Sequence, residues 1–282
     1  MLHKQELRLT EILYEKYVTV STDTESAPRA CILYFHGGGL LYGNREDLPD
    51  GHIAALTKAG YAILAFDYPL APAAGIGQIL SDVISSVNDF CTHNMESAGG
   101  PLPFFLWGRS AGAYLCLLAA ASGKIPSPSG IISYYGYGLF CDNWFHVPSA
   151  YYQSLPAVCE NFLKHLPDRL HADGRLDTHY SAYVYARQTG TWMSLIYSGR
   201  EKLFYLDYTL RTCTALPCPL FCAHSLHDPD VPYAEFMALA ERFHSQRFLS
   251  SGDVHDFDRD PKNPDTSRLL SETIHFLDRH MP

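Results

Sequence analysis

The chain has 282 residues, 47% of them hydrophobic, with 14 histidines, eight cysteines and a formal net charge of -9 at pH 7. An acidic chain without a clustered basic surface is a poor match for nucleic acid, which is excluded as a partner. The length and apolar content suit one α/β domain over residues 1–282, built around a single sheet.

The opening stretch, MLHKQELRLTEILYEKYVTV, mixes charges through every turn, so it reads as neither a signal peptide nor a membrane helix. A cytoplasmic protein without a membrane partner is expected. Short apolar runs then alternate with longer helical patterns, the signature of a mostly parallel sheet with helices on both faces. The strand candidates are CILYF (31–35), YAILAF (61–66), PFFLW (103–107), GIISYY (130–135), PLFCAH (219–224) and RFLSS (247–251). Continuous apolar runs of this length suit strands buried on both faces. Ile76, Ile79, Leu80, Val83, Ile84, Val87 and Phe90 recur at helical intervals and predict an amphipathic helix over 76 to about 92. Residues 111–122 are apolar nearly all round, as a helix at the centre of a fold would be, and a further helical pattern runs from Leu269 to Leu277. Between about 140 and 216 no buried strand is predicted; this aromatic-rich interval reads as a helical insertion over the sheet.

The cysteines stand at 31, 91, 116, 141, 159, 213, 218 and 222 with no CxxC pair, which suits free thiols in a reducing compartment. The histidines show no HExxH spacing, and His224 with His227 has no cysteine at ligand distance along the chain. Neither a metal nor a cofactor is expected.

Chemistry concentrates in WGRSAGA, where Ser110 stands between Gly108 and Gly112 at a strand-to-helix junction. A G-x-S-x-G alone carries little, since chance supplies one in roughly a tenth of chains of this size. The flanking strand and helix are what a nucleophile elbow requires, with the serine strained and raised above the carboxyl edge of the sheet. A serine hydroxyl needs a base, and the base needs an orienting group. His255 in SGDVHDF follows the last predicted strand, and Asp228 in HSLHDPDVPY follows the one before, giving the chain order Ser110, Asp228, His255. Asp230, two residues on, is the rival acid. The glycines of YFHGGGLLYG offer backbone donors for an oxyanion, and Gly38, Gly39 and Ala111 are the expected three.

With HGGG (36–39), DYPLAP (67–72), GRSAG (108–112), DPDVP (228–232) and His255 followed by DF, the sequence resembles the α/β-hydrolase fold, and within it the hormone-sensitive-lipase-like carboxylesterases. The resemblance implies a serine esterase acting on a small-molecule, fairly apolar, short-acyl ester, with residues 140–216 as a small cap and a further cap contribution from residues 1 to about 25. An amide-bond hydrolase of the same fold, an arylformamidase or a small peptidase, is the alternative, and a non-catalytic ligand-binding homologue stands behind both. A homodimer is left open. Where the family usually has an acidic residue before the serine, this chain has Arg109, which is expected to pair with an acid of the insertion, to meet an anionic group of the substrate, or to face solvent. The missing Arg and Glu in DYPLAPAA put the family's local salt bridging in doubt. Tyr135, Tyr137, Phe140 and Trp144 are the candidate pocket aromatics, together with Phe145, Tyr151 and Tyr152.

Overall fold

A computed structural model of the chain describes residues 2–8, 15–23, 27–97 and 102–282. Its strands are β1 (Leu2–Arg8), β2 (Tyr17–Asp23), β3 (Ala30–Phe35), β4 (Tyr61–Phe66), β5 (Phe104–Arg109), β6 (Gly130–Tyr134), β7 (Leu220–Ser225) and β8 (Gln246–Ser250). They form one sheet in the order β1-β2-β4-β3-β5-β6-β7-β8. Neighbours from β4 through β8 are parallel, and β1 and β2 add an antiparallel edge. All six predicted strands are present, each within two residues of the expected bounds.

The continuous apolar runs are explained by period-two alternation between two cores. Along β3, Cys31, Leu33 and Phe35 enter one core while Ala30, Ile32 and Tyr34 enter the other. The helices are α1 (Asp50–Lys58), α2 (Ile76–Ser97), α3 (Ala111–Ala121), α4 (Ala150–Gln153), α5 (Leu176–Thr189), α6 (Trp192–Ile196), α7 (Glu201–Asp207), α8 (Tyr233–Arg242) and α9 (Pro264–Arg279). On the first face, α2 contributes Ile76, Ile79, Val83 and Val87, and α3 is buried through its first ten residues. On the second face lie Ile53 and Leu56 of α1 with Leu269, Phe276 and Leu277 of α9. No described helix is long and apolar enough to cross a membrane. All eight cysteines are free thiols, and burial pushes those of Cys31 and Cys222 up to about 12.

The first 25 residues differ from the expected cap contribution. Their described part is the antiparallel edge, registered from Leu2 opposite Asp23 to Arg8 opposite Tyr17, while residues 1, 9–14 and 24–25 lie outside the described residues. Backbone pairing, with Val18 turned into the core, holds this edge. Its side chains are largely polar, so no apolar run announced it.

The interval between β6 and β7 carries α4 to α7 and no strand among its residues, apart from an isolated bridge between Gly174 and Gly43. It leaves the sheet through a loop gripped by one buried carboxylate. Glu235 of α8 accepts the backbone N–H groups of Gly138, Leu139, Phe140 and Cys141 at 2.8, 2.5, 2.9 and 2.8 Å. Arg211 donates to the Leu139 and Phe140 carbonyls of the same loop at 2.8 and 2.6 Å. Four otherwise orphaned amides are thereby satisfied out of water.

Helix α3 packs so closely on the end of β3 that a Cβ at Gly112 would stand 2.0 Å from the Phe35 carbonyl oxygen. Backbone cannot yield as a side chain can, so Gly112→Ala is expected to lower the unfolding free energy by about 3 kcal/mol. Urea denaturation of the two proteins checks this, and an unchanged midpoint would contradict the packing.

Candidate active site

Strand β5 ends at Arg109 and α3 begins at Ala111, leaving Ser110 as the single residue that turns the chain. Its backbone is strained, with φ 50° and ψ -116°, a region that costs on the order of 1–3 kcal/mol for a residue with a side chain. The Ser110 N–H is satisfied by the Tyr134 carbonyl at 2.9 Å, which ties the turn to β6. The serine side chain opens into a cleft of about 560 Å³ above the carboxyl ends of the parallel strands.

His255 and Asp228 converge on it from the loops after β8 and β7. His255 Nε2 lies 3.0 Å from Ser110 Oγ, and its Nδ1 lies 2.7 Å from Asp228 Oδ2. The remaining Asp228 oxygen accepts the N–H groups of Asp230 and Val231 at 2.8 and 3.0 Å, so one carboxylate both shapes the turn and faces the imidazole. Burial pushes the Asp228 carboxyl up, but the His255 imidazole and these bonds outweigh it and hold the group below the usual carboxylate range. Burial likewise disfavours charge on His255, yet the Asp228 carboxylate, with Asp230 and Asp256 nearby, raises its pKa to about 9.

Asp230 takes a different place. Its carboxylate is 3.9 Å from His255 Nε2, accepts the Tyr183 hydroxyl on both oxygens at 2.8 Å and pairs with Arg187 Nε at 3.1 Å. Tyr183 and Arg187 belong to α5 of the insertion, so this acid fastens the insertion to the site.

The glycine loop after β3 lines the same cleft through Gly37, Gly38 and Gly39. Gly38 and Gly39 have φ of 100° and 57°, and a Cβ at Gly39 would lie 2.1 Å from the Tyr183 ring. Trp192 of α6 donates its indole N–H to the Gly39 carbonyl at 2.7 Å, so the insertion also clamps the glycine loop. The N–H groups of Gly38, Gly39 and Ala111 donate to no acceptor among the described residues. Below the loop, Tyr68 stacks on His36 at 4.1 Å and donates to the His36 and Gly37 carbonyls. Asp67 before it pairs with Arg45 at 2.7 Å, a partner outside the DYPLAP segment.

Arg109 neither reaches an acid of the insertion nor faces solvent. It is 1% exposed at the floor of the cleft, and its Nη2 donates to both oxygens of Asp258 at 2.9 and 3.0 Å. Of the four candidate aromatics only Tyr135 borders the cleft, with its ring centroid 4.6 Å from that of His255. Tyr137, Phe140 and Trp144 pack on one another and on Tyr114 and Trp192 in the core under the insertion, away from the cleft lining. Phe145 is fully buried there too, while Tyr151 is exposed on the surface. Tyr42, Tyr183 and Arg259 line the cleft without any motif to mark them. Among the described residues no group of three or more His, Cys, Asp or Glu is placed to hold a metal ion.

Comparison with known proteins agrees with this architecture. A family model described as the alpha/beta hydrolase fold matches residues 32–166. Lipase 2 of Moraxella sp. (strain TA144) is 28% identical over 120 residues, 43% of this chain and 27% of that protein. An acetyl esterase of Salmonella paratyphi B is 31% identical over 93 residues, 33% of this chain and 28% of the enzyme. The chain thus spans little more than a quarter of these two relatives. A Staphylococcus aureus structure of unknown function superposes with a TM-score of 0.82 at 27% identity, covering 100% of both chains. Sheet order, family match and full-length structural likeness together give this chain the α/β-hydrolase fold, with sequence similarity to lipases and acetyl esterases.

Proposed function

We propose that the chain is a serine carboxylesterase that cleaves small, short-acyl esters through an acyl-enzyme on Ser110. The observation that carries this reading is the unbroken series of contacts from Asp228 through His255 to Ser110, at 2.7 and 3.0 Å. Ser110 Oγ attacks the ester carbonyl as its proton passes to His255 Nε2. Asp228 holds the tautomer that leaves Nε2 free and stabilises the imidazolium that forms. The carbonyl oxygen, now an oxyanion, takes hydrogen bonds from the free N–H groups of Gly38, Gly39 and Ala111. His255 returns the proton to the departing alcohol, then accepts one from the water that attacks the acyl group and passes it to Ser110 Oγ as the carboxylic acid leaves.

The insertion supports the size preference. Tyr183, which lines the cleft, lies against the glycine loop at Gly39, and Trp192 holds the same residue through its carbonyl, which supports a small acyl group beside that loop. The rim supports a polar remainder of the substrate, because Glu46, Asp47, Arg175, Asp177, Asp256 and Arg259 all border the cleft.

Ser110→Ala is expected to abolish the single mass adduct formed with a fluorophosphonate and to lower kcat for p-nitrophenyl acetate by about 10⁶-fold. Full activity in the variant would end the esterase reading. In a p-nitrophenyl series rates should fall from acetate toward long acyl chains; strong triacylglycerol hydrolysis would remove the short-acyl assignment, and faster turnover of N-formylkynurenine would move the reaction to amides.

The pH profile has a definite sign. Only neutral His255 accepts the serine proton, so kcat/KM should rise with pH up to about 9, where the imidazole loses its proton. Asp228→Asn removes the charge that raises this pKa, so the acidic limb should move to lower pH while the plateau drops by about 10⁴-fold. A limb that stays in place in the variant would show that Asp228 does not act on His255.

A further inference from the structure

Asp258 is a fully buried carboxylate that touches none of the reacting atoms, yet it binds the residues on which the site is mounted. It takes the guanidinium of Arg109, the residue before Ser110, at 2.9 and 3.0 Å. It accepts the Tyr135 hydroxyl at 2.9 Å, and His52 of α1 stands 2.8 Å from its other oxygen. It also lies on the loop of His255, three residues further along the chain. Arg109 is the last residue of β5, and Tyr135 follows the last residue of β6.

Tyr135 is the link to the imidazole. Its backbone is held in the left-handed region at φ 42°, and its N–H is bonded to the Ala223 carbonyl at 2.6 Å. That places its ring against His255 at 4.6 Å between centroids, while the Arg109 guanidinium lies over the same ring at 5.7 Å. The loop that carries His255 is also fastened before the histidine by the Ser225 hydroxyl on the Val254 carbonyl and the His227 N–H on the Gly252 carbonyl, and after it by Arg259 on Asp47 and the Asn263 amide on the Phe257 carbonyl. Past the histidine, the loop turns back into the protein at Phe257 and Asp258, both buried.

We infer that Asp258, with Arg109 and Tyr135, is a positioning assembly that holds the His255 imidazole at its place over Ser110. The inference rests on the reading of Ser110 and His255 as nucleophile and base. The charge is required because a buried guanidinium, here with one nitrogen on both oxygens of its partner, is neutralised by a carboxylate and not by an amide. The tyrosine converts that anchor into a wall, since a ring tethered at its hydroxyl cannot swing away from the imidazole. Arginine before the serine is thus part of the device that places the histidine.

Three variants test it: Tyr135→Phe, Asp258→Asn, and the double variant Arg109→Gln with Asp258→Asn, which leaves no unpaired buried charge and guards against simple misfolding. Active sites are counted by exhaustive fluorophosphonate titration, and kcat is expressed per titrated site on p-nitrophenyl acetate. Positioning predicts a kcat per site lower by about 10-fold in Tyr135→Phe and about 100-fold in the two Asp258 variants, with KM within two-fold of wild type. A role confined to stability predicts fewer titratable sites, each with wild-type kcat, and that result would overturn the inference. The low-field proton resonance of the His255 Nδ1–H bonded to Asp228 gives a readout independent of catalysis. It should broaden or shift in folded Asp258 variants, and an unchanged resonance would also overturn the inference. If wild type fails to titrate, the esterase reading falls while the resonance still decides whether Asp258 places the histidine.

Discussion

The close approach of α3 to the end of β3 is the constraint from which the site is built. At Gly112 the helix backbone sits where a methyl group would strike the Phe35 carbonyl oxygen at 2.0 Å. Only with that spacing can the chain turn from β5 into α3 through a single residue, and that residue, Ser110, accepts a φ of 50° as the consequence. The same approach brings the glycine loop after β3 beside the serine, so Gly37 to Gly39 and Ser110 share one cleft. Strain at one residue is held by burial on every side, since α3 is buried along ten of its residues.

Around this fixed point the groups that complete the site are borne on loops, and buried charges hold those loops. Asp258 with Arg109 secures the histidine loop from below, and Asp230 with Arg187 and Tyr183 secures the insertion from above. Such pairs add little net stability compared with apolar packing, but removing one partner strands the other in a dry interior at about 3–5 kcal/mol. They therefore specify arrangement: a loop anchored by a buried charge pair has few other places to go. Glu235 does the same for the stem of the insertion, with four backbone amides on one carboxylate.

The insertion acts as part of the site more than as a cover over it. Trp192 and Tyr183 both bear on Gly39, and the segment at Gly174 pairs with Gly43 at the cleft mouth. Tyr137, Phe140 and Trp144 are spent on seating this insertion, and charged side chains rim the cleft beside Tyr42, Tyr135 and Tyr183.

What could be read from the chain alone were features encoded in a few consecutive residues. The six central strands announced themselves as apolar runs because both faces of the sheet are covered, and the elbow because strand, G-x-S-x-G and helix must be contiguous. His255 and Asp228 were legible as polar residues in the loops after the last two strands, with Asp228 preferred over Asp230, and it is Asp228 that lies 2.7 Å from His255 Nδ1. The antiparallel edge was hidden because backbone pairing carries it and its side chains are largely polar, so no apolar run marks the first residues as strand. Arg109 with Asp258, and Asp230 with Arg187, are separated by 149 and 43 residues. No local pattern marks a pair that meets only when strands and helices pack, and which charges are buried together was decided by the tertiary structure alone.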